Sequence, residues 1–268
     1  MTMKKILSIL ILFAIGNCAY GQNVSSVVRK SQIAYDPYYY NSNLVSGAIA
    51  DFNFANQSSV TTSSSRITQI VDGIGSVVSS QATAINQPTY NTSGGPNNSA
   101  YASFNGSQTL SGSLLTSSTN FTIFIVKRLS SAGGTSALGI FQNGTASNGY
   151  AITDNLSGNG GVGQISGVTY PSVSAVGGLD FYCNPNRWEI VVVSHSSGIT
   201  YCYNSLGHKY LTGVSTNPVT PTTSHNIGTS GITSTGSFVG DISRILVYNT
   251  QLTDAQILQN CQLLGASL

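Results

Sequence analysis

The chain has 268 residues, ten of them Lys or Arg and eight Asp or Glu, and only 7% are charged against roughly a quarter in ordinary globular proteins. The surplus cations, Lys4 and Lys5, both fall within the first 21 residues, so the remainder carries no formal net charge and no basic field to draw in nucleic acid or anionic headgroups. Forty per cent of the residues are apolar, which is enough for a packed core and excludes a disordered chain.

Residues 1–21 read as a three-part secretory signal. Lys4 and Lys5 precede the apolar run Ile6 to Ile15, and Ala19-Tyr20-Gly21 places small residues at the cleavage site, after Gly21. The run is too short to span a bilayer. Lipid tethering through Cys18 is a second possibility, but Ile15-Gly16-Asn17-Cys18 has Asn where a lipobox wants Gly or Ala. The expected destination is therefore secreted or cell-surface.

Residues 22–45 form an arm with little periodicity around Tyr35-Asp36-Pro37-Tyr38-Tyr39-Tyr40. Two readings are open: tyrosines packed along the outside of a sandwich, or a connector for self-assembly, since Tyr offers large contact area at low entropic cost. From Ser46 onward, short apolar strands alternate with Ser, Thr, Asn and Gly turns. Asn120 to Lys127 and Trp188 to Val193 are rich in β-branched and aromatic residues and read as buried central strands. Trp188 to Ser194 and Ile199 to Tyr203 flank His195-Ser196-Ser197-Gly198, which predicts a hairpin of about four loop residues in which Val193 faces Thr200 and Cys202 faces Val191.

Near the C-terminus, Thr253 caps a helix that carries Ile257, Leu258, Cys261 and Leu264 on one face, to lie against the sandwich as a lid. Secretion permits a disulfide, and Cys183 with Cys202 is the expected pair because both flank one hairpin. Cys183 lies beyond the hairpin's end, so that bridge must reach across to another strand. Cys261 is then left over as a small buried residue. No repeat of solenoid period and no charged or Pro-rich linker divides residues 46–268, which predicts a single domain.

Several segments, in order, resemble the concanavalin A-like superfamily, and its laminin-G-type jelly rolls in particular. Gly240-Asp241-Ile242-Ser243-Arg244-Ile245-Leu246-Val247-Tyr248-Asn249 followed by Leu252-Thr253-Asp254-Ala255-Gln256-Ile257 is similar to their closing strand and terminal helix. Gly47 to Phe54, Gln69 to Gly75, Gln87-Pro88-Thr89-Tyr90 and Ala102-Ser103-Phe104-Asn105-Gly106 resemble earlier elements. The resemblance implies an all-β fold of two packed antiparallel sheets with one short C-terminal helix. It departs at two points: the Trp usual before Asp72 is missing, and Arg244 stands where an acidic residue is frequent.

Catalysis is not expected. A glycosidase needs two carboxyl groups flanking the bond, whereas this chain has one glutamate, Glu189, and seven scattered aspartates. Glu189 reads as a surface or edge residue. No G-x-S-x-G elbow occurs, and Gly158 to Gly163 matches the dinucleotide fingerprint only formally, because no helix pattern follows it. His195, His208 and His225 lie in turn-rich stretches and read as solvated loop residues. The site expected by analogy with sugar binders is a sheet edge at Tyr150, Asp154 and Asn155, the tyrosine face covering a sugar and the side chains taking its hydroxyls, with calcium an optional ion at Asp154-Asn155. Two functions follow: a lectin-like domain that binds a glycan or another extracellular surface, or a structural subunit of an extracellular or particle-surface assembly joined through the arm.

Overall fold

The computed structural model describes residues 43–75, 77–130, 137–144, 149–155, 164–169, 186–214, 220–221, 224–229, 236–265 and 268; of residues 137, 154–155, 164–169, 210–214 and 236 it describes the backbone alone. The N-terminal half holds β1 (Ala48–Asn53), β2 (Val60–Ser63), β3 (Arg66–Val71), β4 (Val78–Ser80), β5 (Thr89–Asn91), β6 (Tyr101–Asn105), β7 (Leu110–Gly112) and β8 (Phe121–Leu129). Then come β9 (Ala137–Gly144), β10 (Gly149–Asn155), β11 (Gln164–Thr169), β12 (Trp188–Ser196) and β13 (Ile199–Tyr203). The chain closes with β14 (Lys209–Val214), β15 (His225–Ile227), β16 (Gly236–Ser237), β17 (Val239–Tyr248) and the helix α1 (Asp254–Gly265).

The pairings resolve into two layers. In the front layer β17 lies between β8 on one side and, end to end, β6 and β1 on the other, and β8 continues through β12 and β13 to β14. In the back layer the order is β2, β3, β4, β7, β15, β9, β10, β11. All these pairs are antiparallel; β16 adds a short parallel pair to β9, and β5 joins the layers by pairing with both β3 and β6. The expected all-β, antiparallel jelly-roll architecture with one C-terminal helix is the one observed.

Alternation within the strands explains why the layers pack. Phe121, Ile123 and Ile125 of β8, Val191 and Val193 of β12, and Ile245 and Val247 of β17 all point inward to meet Ile67, Leu110, Ile140, Ile152 and Ile227 from the back layer. The alternate residues Phe124, Val126, Ile190, Val192, Leu246 and Tyr248 face outward, yet they too are buried, because α1 lies over them with Ile257, Cys261 and Leu264. Burial on both faces is why β8 and β12 read as continuous apolar runs. Each fully buried side chain of this size contributes roughly 1.5–3 kcal/mol.

The helix begins in a capping box. The Gln256 N–H donates to Thr253 Oγ1 at 3.3 Å while Gln256 Oε1 accepts from the Thr253 N–H at 2.9 Å. Its buried face differs by one residue from expectation: Leu258 is exposed and Asn260 is enclosed. Asn260 binds backbone and side chain together. Its Oδ1 accepts from the Val45 N–H at 2.9 Å, and its Nδ2 donates to Tyr248 Oη at 2.9 Å, whose hydroxyl donates to the Val45 carbonyl at 2.7 Å. The helix therefore fixes residues 43–45 where they enter β1; the rest of the 22–45 arm, like residues 1–21 with Cys18, lies outside the described residues.

The β12–β13 hairpin is tighter than expected. Its loop is Ser197-Gly198, both with positive φ (51° and 78°), and Ser196 pairs with Ile199. That is the two-residue turn whose twist matches the flanking strands, with Gly at the second position. The register moves accordingly, so that Val193 faces Cys202 and His195 faces Thr200. Both residues read as turn elements, His195 and Ser196, thus belong to β12.

Two of the three histidines are core residues rather than loop residues. The His195 ring stacks on Phe121 (centroids 5.6 Å apart), and Tyr150 stacks on the same phenylalanine at 3.9 Å. His195 Nδ1 lies 2.8 Å from Thr200 Oγ1, and burial lowers its pKa to about 4. His225 sits between Phe52 and Phe141, with Nε2 2.6 Å from Ser79 Oγ and Nδ1 2.6 Å from the Ser113 carbonyl. Gly112 lies between Ser79 and His225 in the register, and a Cβ there would collide with the imidazole. His208 alone of the three is exposed.

Candidate functional site

The helix does not cover the whole outer face of the front layer. Twelve residues of helix extend about 18 Å, whereas the ten residues of β17 extend about 34 Å. Beyond the helix, four outward residues from four adjacent strands stand in register: Ser103 of β6, Asp241 of β17, Arg128 of β8 and Trp188 of β12. The inward neighbours Phe104, Ile242 and Leu129 are buried in the core, and Trp188 shares the outward face of β12 with Ile190 and Val192, so packing fixes the outward direction of the row.

The row is linked by polar and aromatic contacts. Asp241 Oδ1 accepts from Ser103 Oγ at 2.6 Å and Oδ2 accepts from Arg128 Nε at 2.8 Å; Asn91 Nδ2 in turn donates to Ser103 Oγ at 2.8 Å. The Arg128 guanidinium carbon lies 4.8 Å from the centroid of Trp188 and 5.3 Å from that of Tyr101, and the two rings meet edge-on at 5.4 Å. Trp188 Nε1 donates to the Gly94 carbonyl at 3.4 Å, which ties the ring to the turn ahead of β6. Arg128 and Asp241 keep 26% and 18% of their side-chain surface in solvent, and both line a cleft of about 320 Å³ whose rim includes Asn105 and Asn186. Asn186 has φ 63°, held by its N–H on the Leu129 carbonyl, so the rim residue occupies a left-handed conformation that Asn tolerates better than most.

On the inner side of the same strand ends lies a second ion pair. Lys127 Nζ donates to Glu189 Oε1 at 2.7 Å, with Lys127 fully buried and Glu189 only 14% exposed. Glu189 is therefore not a surface residue: its parity along β12 turns it inward, against Lys127 on the paired strand.

All five carboxylates whose side chains are described are engaged. Asp51 makes a two-pronged pair with Arg244 (2.6 and 2.7 Å), Asp254 takes Lys209 at 3.0 Å and the Tyr203 hydroxyl at 2.8 Å, and Asp72 accepts the N–H groups of Ile74, Gly75 and Val77. Arg244, on the same strand as Asp241 of the row, thus has a structural partner in Asp51 on the adjoining β1. Among the described residues no group of three His, Cys, Asp or Glu side chains could hold a metal ion. The side chains of Asp154 and Asn155, where calcium was an optional ion, lie outside the described residues.

Of the edge expected at Tyr150, Asp154 and Asn155, only Tyr150 has a described side chain. Tyr150 is fully buried in the stack on Phe121, with its hydroxyl 3.4 Å from Asn143 Nδ2, so its ring offers no face to a ligand; burial also raises its pKa. Its parity in β10 turns it to the core. Asp154 and Asn155 pair in β10 with Leu138 and Ala137, and their side chains lie outside the described residues, as do Gly158 to Gly163. The disulfide is not made at Cys202. That thiol is free and buried on the inner face of β13, its pKa pushed up to about 12 by burial, and Cys183 lies outside the described residues. Cys261 is a free thiol on the buried face of α1, as expected.

The row escaped sequence reading because its members come from four strands separated by up to about 140 residues. One signal was usable. In a chain with so few charges, the central strand ends read Lys127-Arg128, Trp188-Glu189 and Asp241, opposite charges that antiparallel pairing brings together on both faces.

Fold and site together define a jelly-roll β-sandwich with an open aromatic and ion-pair face. In fold it is similar to domain 4 of AbnA, a GH43 extracellular arabinanase from Geobacillus stearothermophilus, in complex with arabinotriose (TM-score 0.56, 16% identity), over 81% of this chain and 98% of that domain. Similar likeness extends to Trypanosoma rangeli sialidase (TM-score 0.55, 15% identity, 79% of this chain) and to an arabinofuranosidase complexed with arabinofuranosyl-alpha-1,2-xylobiose (0.55, 13%, 74%). The chain spans 32% of the sialidase and 50% of the arabinofuranosidase. No protein-family model and no curated protein sequence matches the chain. Among the described residues no helix is long and apolar enough to cross a membrane.

Proposed function

We propose that the chain is a non-catalytic, extracellular, lectin-like domain of laminin-G type that binds carbohydrate on the open end of its front layer. The observation that carries this reading is the half-buried row of Trp188, Arg128, Asp241 and Ser103, flanked by Tyr101 and set against the 320 Å³ cleft. Sugars are bound by an aromatic surface for their C–H groups together with fixed donors and acceptors for their hydroxyls, and the row supplies both. Support also comes from AbnA domain 4, which has this fold across its length and is seen with arabinotriose. Binding without turnover is favoured because each described carboxylate already has a cation, a hydroxyl or backbone N–H groups as partner, and no unpartnered acid and base pair stands among the described residues.

A broad oligosaccharide array probed with the purified protein, with calcium and with chelator, tests the reading. Selective signal that survives chelator and is lost in Trp188→Ala is expected. Signal lost in chelator but kept in Trp188→Ala would return the site to the Asp154–Asn155 end of β10, which lies between β9 and β11. A blank array in both conditions would leave the assembly subunit, with the 22–45 arm as its contact.

A further inference from the structure

The ion pair in the open row specifies the charge of its ligand. We infer that the site takes a neutral saccharide residue through two neighbouring hydroxyls, one accepting from Arg128 and one donating to Asp241; this rests on the carbohydrate-binding reading of the same face. Arg128 spends only Nε on Asp241, and its two terminal nitrogens have no side-chain or backbone partner among the described residues. Asp241 has accepted one hydrogen bond on each oxygen and keeps further lone pairs. A donor pair and an acceptor thus stand side by side on a surface that is neutral as a unit.

Charged ligands fare worse on this geometry. A carboxylate approaching the free guanidinium nitrogens would also approach Asp241, whose Oδ2 is 2.8 Å from the same guanidinium, and an ammonium approaching Asp241 would meet Arg128. Either would give up hydration without gaining a net opposite charge. Arg187 stands at the same strand end, but it is exposed, where salt and water screen it. Lys127 and Glu189 face the other side of the sheet and neutralise each other. A hydroxyl pair avoids the problem because it donates and accepts with no charge to desolvate. The cleft is at the small end of ligand pockets, roughly 300–1,000 Å³, which suits one sugar residue rather than a long stretch of polymer.

The test is affinity for matched neutral and acidic oligosaccharides, immobilised on one array and followed by titration calorimetry, for the wild type, Asp241→Asn and Arg187→Ala. The wild type is expected to retain neutral members at least ten-fold over acidic ones. Asp241→Asn, which leaves Arg128 uncompensated, should lose ten-fold or more on neutral ligands and gain on acidic ones, while Arg187→Ala should keep the neutral preference. If Asp241→Asn melts early, Asn186→Gly, which preserves the left-handed rim backbone and removes its amide, should still weaken neutral binding several-fold. Preference of the wild type for acidic glycans, or neutral binding unchanged in Asp241→Asn and Asn186→Gly, would overturn the inference and leave carbohydrate binding standing. A wild type that retains no saccharide would overturn both.

Discussion

The two ends of the front layer's outer face use the same three strands in opposite ways. Under α1, Phe124, Val126, Ile190, Val192 and Leu246 are apolar and buried; two residues farther along β8 and β12 the outward positions are Arg128 and Trp188, half exposed and linked to Asp241 and Tyr101. Only the cover differs. A helix of twelve residues shields about half of the face, and what it shields must be apolar because no water remains to hydrogen-bond to it. The part left open is free to hold a polar and aromatic row, and the sheet beneath makes that row rigid.

Mutations at the two ends should separate accordingly, and the largest losses belong to buried groups. Glu189→Ala leaves Lys127 charged and enclosed beneath the open end, and should cost about 3–5 kcal/mol in denaturant unfolding. Phe124→Ala, at the covered end, should cost a similar amount, about 3–5 kcal/mol, by opening a cavity between β8 and α1. Asn260→Ala removes the link from α1 to Val45 and Tyr248, and should cost about 1–3 kcal/mol. A loss below 1 kcal/mol for Glu189→Ala would mean that the inner pair is hydrated and not enclosed.

Acid should weaken the interior through its buried histidines. The His195 pKa lies at about 4, below its ordinary 6.5, because burial disfavours the imidazolium, and burial lowers that of His225 as well. The unfolded chain therefore binds more protons than the folded one below about pH 6.5, so stability is full above that pH and falls as pH drops toward 4. Melting temperatures recorded from pH 8 to 4 should be flat above 6.5 and decline below it. His195→Gln should flatten part of the decline.

The smallest stability change belongs to the open row. Arg128→Lys keeps the charge but loses the planar stack between Trp188 and Tyr101, and should cost no more than about 1 kcal/mol because the pair with Asp241 is solvated.

The strands were legible where both faces are buried. Phe121 to Val126 and Trp188 to Val193 announce themselves by apolar, β-branched content, and the closing strand and capped helix by the Asp241 to Ile257 pattern. The hairpin register was not legible, because two-residue and four-residue loops are both compatible with His195-Ser196-Ser197-Gly198, and only the positive φ at Ser197 selects the tight one. Tyr150 misled for a related reason. A tyrosine near glycines and polar residues looks like a loop aromatic, and its burial depends on β9 and β15 pairing beside it. The row itself needs three strand registers at once, which local composition does not encode.

The chain has a single tryptophan, and it stands in the row. Trp188 fluorescence, excited selectively over tyrosine, therefore reports on the proposed site with no other tryptophan contributing. Titration of the purified protein with the neutral oligosaccharides that it retains should give a saturable change in Trp188 emission, with a midpoint matching calorimetry and lost in Asp241→Asn. Saccharide binding measured by calorimetry with Trp188 emission unmoved would place the ligand elsewhere on the sandwich and contradict the account.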